Sequence, residues 1–175
     1  GVPQGHPDAP ALTVLGGFLR NGFLHRTIRE QGGAYGGGAS YDTDSAAFRF
    51  YSYRDPRLGE TLSDFDQCVA WMLDTRHEDR VLEESILGVI GSLDKPSSPA
   101  GEAKQHFHNC LFGRTHAQRE HFREQVLAVS LDDLNRVTQT YLQPELASTA
   151  VVTNSARLGE ASALRESLGL ELQEL

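Results

Sequence analysis

The chain has 175 residues, 39% of them hydrophobic and 23% charged, with a formal net charge of -8. That length and balance suit one ordered domain with its own core. Scattered basic residues on an acidic chain argue against nucleic acid as a partner, and no apolar run is long enough for a bilayer-spanning helix, so no membrane partner is expected.

The opening residues Gly1 to Gly5 read like a chain cut from something longer, and no secretory leader is visible. Asp8, followed by Pro10, is a plausible N-cap with proline in the first turn. A helix is predicted from there to about Arg29, its wide apolar face made of Leu12, Leu15, Phe18, Leu19, Phe23, Leu24 and Ile28. Gly16, Gly17 and Gly22 lie inside it, and each costs about 1 kcal/mol relative to alanine. They imply tight packing against a neighbour, or a bend. Ala39–Tyr41 and Phe48–Tyr53 then alternate like strands around the polar turn Asp42–Ser45, which predicts a hairpin ended by Asp55-Pro56.

The next hundred residues are read as mostly helical. One stripe is Leu62, Phe65, Val69 and Met72, and a second is Leu82, Ile86, Val89 and Leu93. After a loop from Asp94 to Pro99, Ala103, Phe107, Cys110 and Leu111 mark a third, stopped by Gly113. Thr115 with Gln118 makes a capping box for a helix that turns Phe122, Val126 and Val129 inward. Ser130 caps another, carrying Leu134, Val137 and Tyr141 and closed before Pro144. Ala147–Thr153 reads as a buried strand, Ala156–Ser167 as a last helix and Leu170–Leu175 as a short edge strand. The expected fold is α+β, an antiparallel sheet with helices packed on one face, in a single domain over residues 1–175.

Seven histidines invite a search for a metal site. His106 and His108 are two apart and diverge on a helix, while His106 and Cys110 are four apart but the cysteine belongs to the apolar stripe. His116, Glu120, His121 and Glu124 read as a charged, solvated face, and neither His-Glu-x-x-His nor its inverse occurs. No metal ligand and no cofactor are assigned to this chain. No Gly-x-Ser-x-Gly occurs, and Cys68 and Cys110 are expected to be buried thiols rather than nucleophiles or a disulfide. Gly32–Gly38 follows a helix and enters a strand, the reverse of a dinucleotide loop.

What remains is the stretch from Ile28 to Gly38. Arg29 and Tyr35 stand six residues apart where a helix meets a turn, and five of the seven residues from Gly32 to Gly38 are glycine. A guanidinium and a phenol are donors suited to a negatively charged oxygen, and the glycines let other backbone approach. A plainer alternative has Arg29 pairing with a carboxylate at the helix end and Tyr35 packing on the sheet. Arg26 with Glu30 reads as a surface pair.

The run Phe23-Leu24-His25-Arg26-Thr27-Ile28-Arg29-Glu30-Gln31-Gly32-Gly33-Ala34-Tyr35-Gly36-Gly37-Gly38 resembles the C-terminal region of pitrilysin/insulinase-type zinc peptidases. The doubled glycine before Ala-Tyr is similar to the presequence-protease branch. Leu93–Glu102, Phe112–Thr115, Phe122–Glu124 and Ser130–Leu134 agree with that branch. The resemblance implies a large clamshell enzyme of four homologous α+β domains, with zinc held in the first and none in the last, which this chain matches. It implies that an arginine and a tyrosine from the C-terminal half complete the active site on closure. By motif position these are Arg29 and Tyr35, assisting catalysis without binding metal, with Gly33, Ala34, Gly36 and Gly37 along the substrate. The expected partners are the N-terminal half of the same polypeptide and a short unfolded peptide. Such a domain normally opens with a strand before its first helix. Only a Pro-Gly lead precedes Asp8, so the sheet is expected to lack that strand. The compartment implied is a bacterial cytoplasm or periplasm, or the mitochondrial matrix in a eukaryote. Two rivals are a scaffold or peptide-binding wall in an inactive relative, and a self-contained enzyme built on the His116–Glu124 cluster.

Overall fold

Hydrophobic patterning puts the first helix at the centre of the molecule. In the computed structural model, which describes residues 1–154 and 162–173, α1 spans Ala9–Leu19 and buries nine of its eleven residues, from Ala9 through Leu19. Such an all-round apolar helix must be covered on every side. It packs against the hairpin and against three later helices. Asp8 stands at its N-cap but makes no capping bond; its carboxylate is instead committed to the hydroxyl of Tyr141, 2.6 Å away, and to Arg136 at 2.7 Å.

From Arg20 to Gln31 the helix continues with π winding, so the expected α-helix to Arg29 changes character after Leu19. Leu24 and Ile28 are its buried anchors. Of the three glycines, two meet close neighbours. A Cβ on Gly16 would lie 3.0 Å from the Ser40 Cα, so helix and strand touch backbone to backbone, and one on Gly22 would lie 2.5 Å from the Trp71 ring. Gly17 faces open space.

The hairpin forms as β1, Gly36–Asp42, and β2, Ala47–Tyr53, paired antiparallel with Gly36 opposite Tyr53 and Ala39 opposite Phe50. Asp42 holds the turn by accepting from the amides of Asp44 and Ser45. Helices α2 (Gly59–Asp74), α3 (Asp79–Leu93), α4 (Pro99–Leu111), α5 (His116–Leu127) and α6 (Leu131–Tyr141) follow. The expected capping box at Thr115 is present, and the expected cap at Ser130 forms a second box, each residue exchanging bonds with the third residue on. The core joins Leu12, Leu15, Phe18, Leu24, Ile28, Cys68, Met72, Leu82, Val126, Leu134 and Val137. The fold class is therefore α+β, with helices packed against a two-stranded sheet.

Four expectations are corrected. Ala147–Thr153 forms no strand and is largely exposed, because no described strand lies beside it and an unpaired strand has no ladder to join. Residues 170–173 likewise form no strand, and the end of that predicted segment lies outside the described residues. The predicted last helix survives as α7, Ser162–Ser167, its earlier part falling outside the described residues. Third, α4 forms but leaves Phe107 and Leu111 64% and 65% exposed. Its periodicity is real, yet nothing described covers that face. Cys110 is exposed for the same reason, contrary to the expected buried thiol.

Candidate functional site

The two residues singled out by the sequence flank one turn. Arg29 lies in the last turn of the π-helix and is exposed. Its Nη1 lies 3.4 Å from His25 Nε2, and the other ring nitrogen of His25 lies 3.3 Å from Glu30 Oε1. This replaces the expected Arg26–Glu30 pair. An α-helix aligns residues four apart, whereas π winding bonds each residue to one five back. His25 is therefore flanked by both Arg29 and Glu30. Arg29 has found an imidazole rather than a carboxylate.

The turn is closed by two backbone bonds, Gly33 N–H to the Arg29 carbonyl and Ala34 N–H to the Ile28 carbonyl, each 3.1 Å. Gly33 takes φ +78°, the left-handed conformation that ends helices and that glycine alone adopts freely. Ala34 is buried, so its side chain is packing and its amide is already used. Beneath Gly32 lies the Arg57 guanidinium, which donates to the Thr27 carbonyl at 3.3 Å and to Asp64 on α2 at 2.9 Å. Its Nε is buried without a hydrogen-bond partner. Asp55 accepts from the Arg57 amide, Ser52 and Thr61. These bonds fasten the turn to both β2 and α2.

Tyr35 follows at once and is 68% exposed. Its ring meets Tyr53 edge-on, with centroids 6.0 Å apart. Arg54 spans both: its guanidinium carbon lies 5.6 Å from the Tyr35 centroid and 5.3 Å from that of Tyr53. The Tyr35 amide also donates to the Arg54 carbonyl at 3.4 Å. The plainer alternative is thus half realised, since Tyr35 touches the sheet through Tyr53 but keeps most of its surface in solvent. Of the residues expected along a substrate, Gly36 faces open space, Gly33 is exposed, and the missing side chain of Gly37 makes room for Ile28.

Other reactive groups do not gather here. Burial pushes the Cys68 thiol up to about 12, far from a reactive thiolate. Cys110 Sγ lies 3.6 Å from His106 Nε2 on the exposed side of α4. His116 pairs with Glu120 at 3.2 Å and His121 with Glu124 at 4.0 Å, all exposed. Among the described residues no three His, Cys, Asp or Glu side chains converge as metal ligands, so the residues present do not fit a zinc ion. His25, Tyr53 and Arg54 were not singled out by sequence reasoning. The i,i+5 relation of His25 to Glu30 is meaningful only under π winding, and nothing in the residue types announces a left-handed arginine.

Comparison with known proteins agrees with the motif. The model of the PreP C-terminal domain matches residues 3–154. A mitochondrial presequence protease from Yarrowia lipolytica is 42% identical over 142 residues, covering 81% of this chain and 14% of that protein. One from Emericella nidulans is 38% identical over 174 residues, 99% of this chain and 16% of its own length. The mouse mitochondrial presequence protease is 39% identical over 141 residues, 81% of this chain and 13% of its own. The chain thus spans about one seventh of the relatives it matches. With a specific motif, a matched family model over most of its length and relatives at this identity, the chain belongs to the PreP C-terminal domain family, on the presequence-protease branch of the pitrilysin-type peptidases.

Proposed function

We propose that the 175 residues act as one domain at the C-terminal end of a zinc metalloendopeptidase that degrades short unfolded peptides. In this reading the domain walls the chamber opposite a zinc site held by another domain, and the N-terminal half of the same polypeptide is its partner. The observation that carries the reading is that Arg29 and Tyr35, both exposed, flank one turn pinned by backbone bonds and by Arg57. When the scissile amide carbon becomes tetrahedral, negative charge grows on its oxygen. The Tyr35 phenol donates a hydrogen bond to that oxygen, and the Arg29 guanidinium adds a second donor or holds a substrate carbonyl. Open space at Gly36 and the exposed Gly33 admit an extended peptide beside the turn, with Ala34 and Gly37 contributing backbone only. Closure of the two halves brings these donors to the substrate.

The compartment follows the relatives, whose names place them in mitochondria, so for a eukaryotic source the matrix is the setting proposed. No described helix is long and apolar enough to cross a membrane.

Changing Tyr35 to Phe in the full-length protein that carries this domain tests the reading. Losing one such donor typically lowers kcat by about 10²–10³. Turnover of an unstructured peptide at the wild-type rate would remove the role given to the phenol. It would favour the second reading, a wall that binds peptide without taking part in chemistry.

A further inference from the structure

We propose that Arg54 is a positioning residue for Tyr35, an inference that rests on the role given to Tyr35 above. Arg54 closes β2 with φ +49°, in the left-handed region that a side chain disfavours and glycine accepts at no cost. The conformation is strained for an arginine, and here it carries the side chain onto two aromatic rings. Among the described residues the Arg54 guanidinium has no carboxylate partner and no hydrogen bond. Its contacts are the faces of Tyr35 and Tyr53, at 5.6 Å and 5.3 Å.

The backbone explains how this comes about. The left-handed turn brings the Arg54 carbonyl under the Tyr35 amide at 3.4 Å, and folds the side chain back over the two rings. The rings in turn meet edge to face at 79°, the arrangement that the aromatic quadrupole favours. Tyr35 is 68% exposed, so core packing does little to choose its rotamer. A cation shared with Tyr53 does choose, because leaving the preferred well takes the Tyr35 face away from the guanidinium. The phenolic hydroxyl is thereby held in one direction before substrate arrives. Preorganised donors stabilise developing charge without reorganising during the reaction.

Glycine is the clean deletion, since it keeps the backbone conformation and removes the cation. In the full-length protein, kcat and KM on an unstructured peptide are measured for R54G, Y35F and the double variant. Spreading Tyr35 over its other rotamers lowers kcat about 2–5-fold in R54G, with KM changed less than about twofold, since no substrate contact is lost. In the Y35F background R54G has no further effect, because there is no hydroxyl left to aim. If Y35F is slow and R54G is as fast as wild type, Arg54 is idle and the proposal fails while the reading of Tyr35 stands. If R54G slows Y35F as much as it slows wild type, Arg54 acts elsewhere and the proposal fails. If Y35F itself turns over normally, the reading of Tyr35 falls and takes this inference with it.

Discussion

Replacing Asp8 with alanine should cost this domain about 1.5–4 kcal/mol, and the figure can be built from its contacts. The carboxylate is only 12% exposed and joins the start of α1 to α6, accepting from Tyr141 at 2.6 Å and pairing with Arg136 at 2.7 Å. A hydrogen bond to a charged group contributes about 1.5–3 kcal/mol. The Arg136 end of the pair is half exposed and solvent-screened, which limits it to about 0–1 kcal/mol. For a domain of this size each kcal/mol moves the melting point by about 2–4 °C, so the midpoint should fall by roughly 3–16 °C at pH 7. Burial alone would raise the Asp8 carboxyl, but the Tyr141 hydroxyl and the Arg136 guanidinium more than offset it and hold the group below its ordinary range. The unfolded chain therefore takes up this proton more readily. The stabilisation is complete above the ordinary carboxylate value of about 4 and disappears as pH falls through the lower folded value. Asp133 is lowered too, chiefly by its bond from Ser130, so the diagnostic quantity is the gap between wild type and D8A measured by thermal melting across pH. Equal midpoints at pH 7, or a gap that stays constant from about pH 5 to pH 2, would refute the reasoning.

Gly33→Ala should destabilise the domain by about 1–2 kcal/mol, because an L side chain is strained at the φ of +78° that this position holds; urea unfolding measures it, and an unchanged midpoint would show that the turn relaxes without cost. With a thiol reagent at pH 8, Cys110 should react promptly and Cys68 only after unfolding, since Cys110 is exposed while burial pushes the Cys68 thiol up to about 12. Two fast thiols in the native protein would contradict that burial.

Local chemistry was the legible part of the sequence. The capping box at Thr115 needs only residues three apart, and it formed; the cap expected at Ser130 formed too, and Asp133 completes it into a second box. The hairpin was found because Phe48–Tyr53 alternates, but β1 begins at Gly36, three residues before the predicted start at Ala39. Glycines carry no strand pattern, and Gly36–Gly38 are recruited by pairing with Tyr53, Ser52 and Tyr51. What depended on distant partners was not legible. Val151 and Val152 favour a strand, yet without a neighbouring strand they gain no ladder. Phe107 and Leu111 mark an amphipathic helix without saying what covers it. At the candidate site, Arg29 and Tyr35 were reached through their donors and the motif around them. The neighbours that touch them, His25 and Arg54, depend on π winding and on the sign of one backbone angle.

The winding of Arg20–Gln31 makes the azimuth of Arg29 an aliphatic matter. An α-helix turns each residue by about 100°; the π stretch turns less, so its phase drifts from that of α1 with every step. Tightening it to α pitch would swing Arg29 around the axis and unseat Leu24 and Ile28, which are fully buried. Those two side chains act as a latch on rotation. A change of methyl groups on the concealed flank of this helix would then re-aim a guanidinium on its open flank, with no polar residue altered at all.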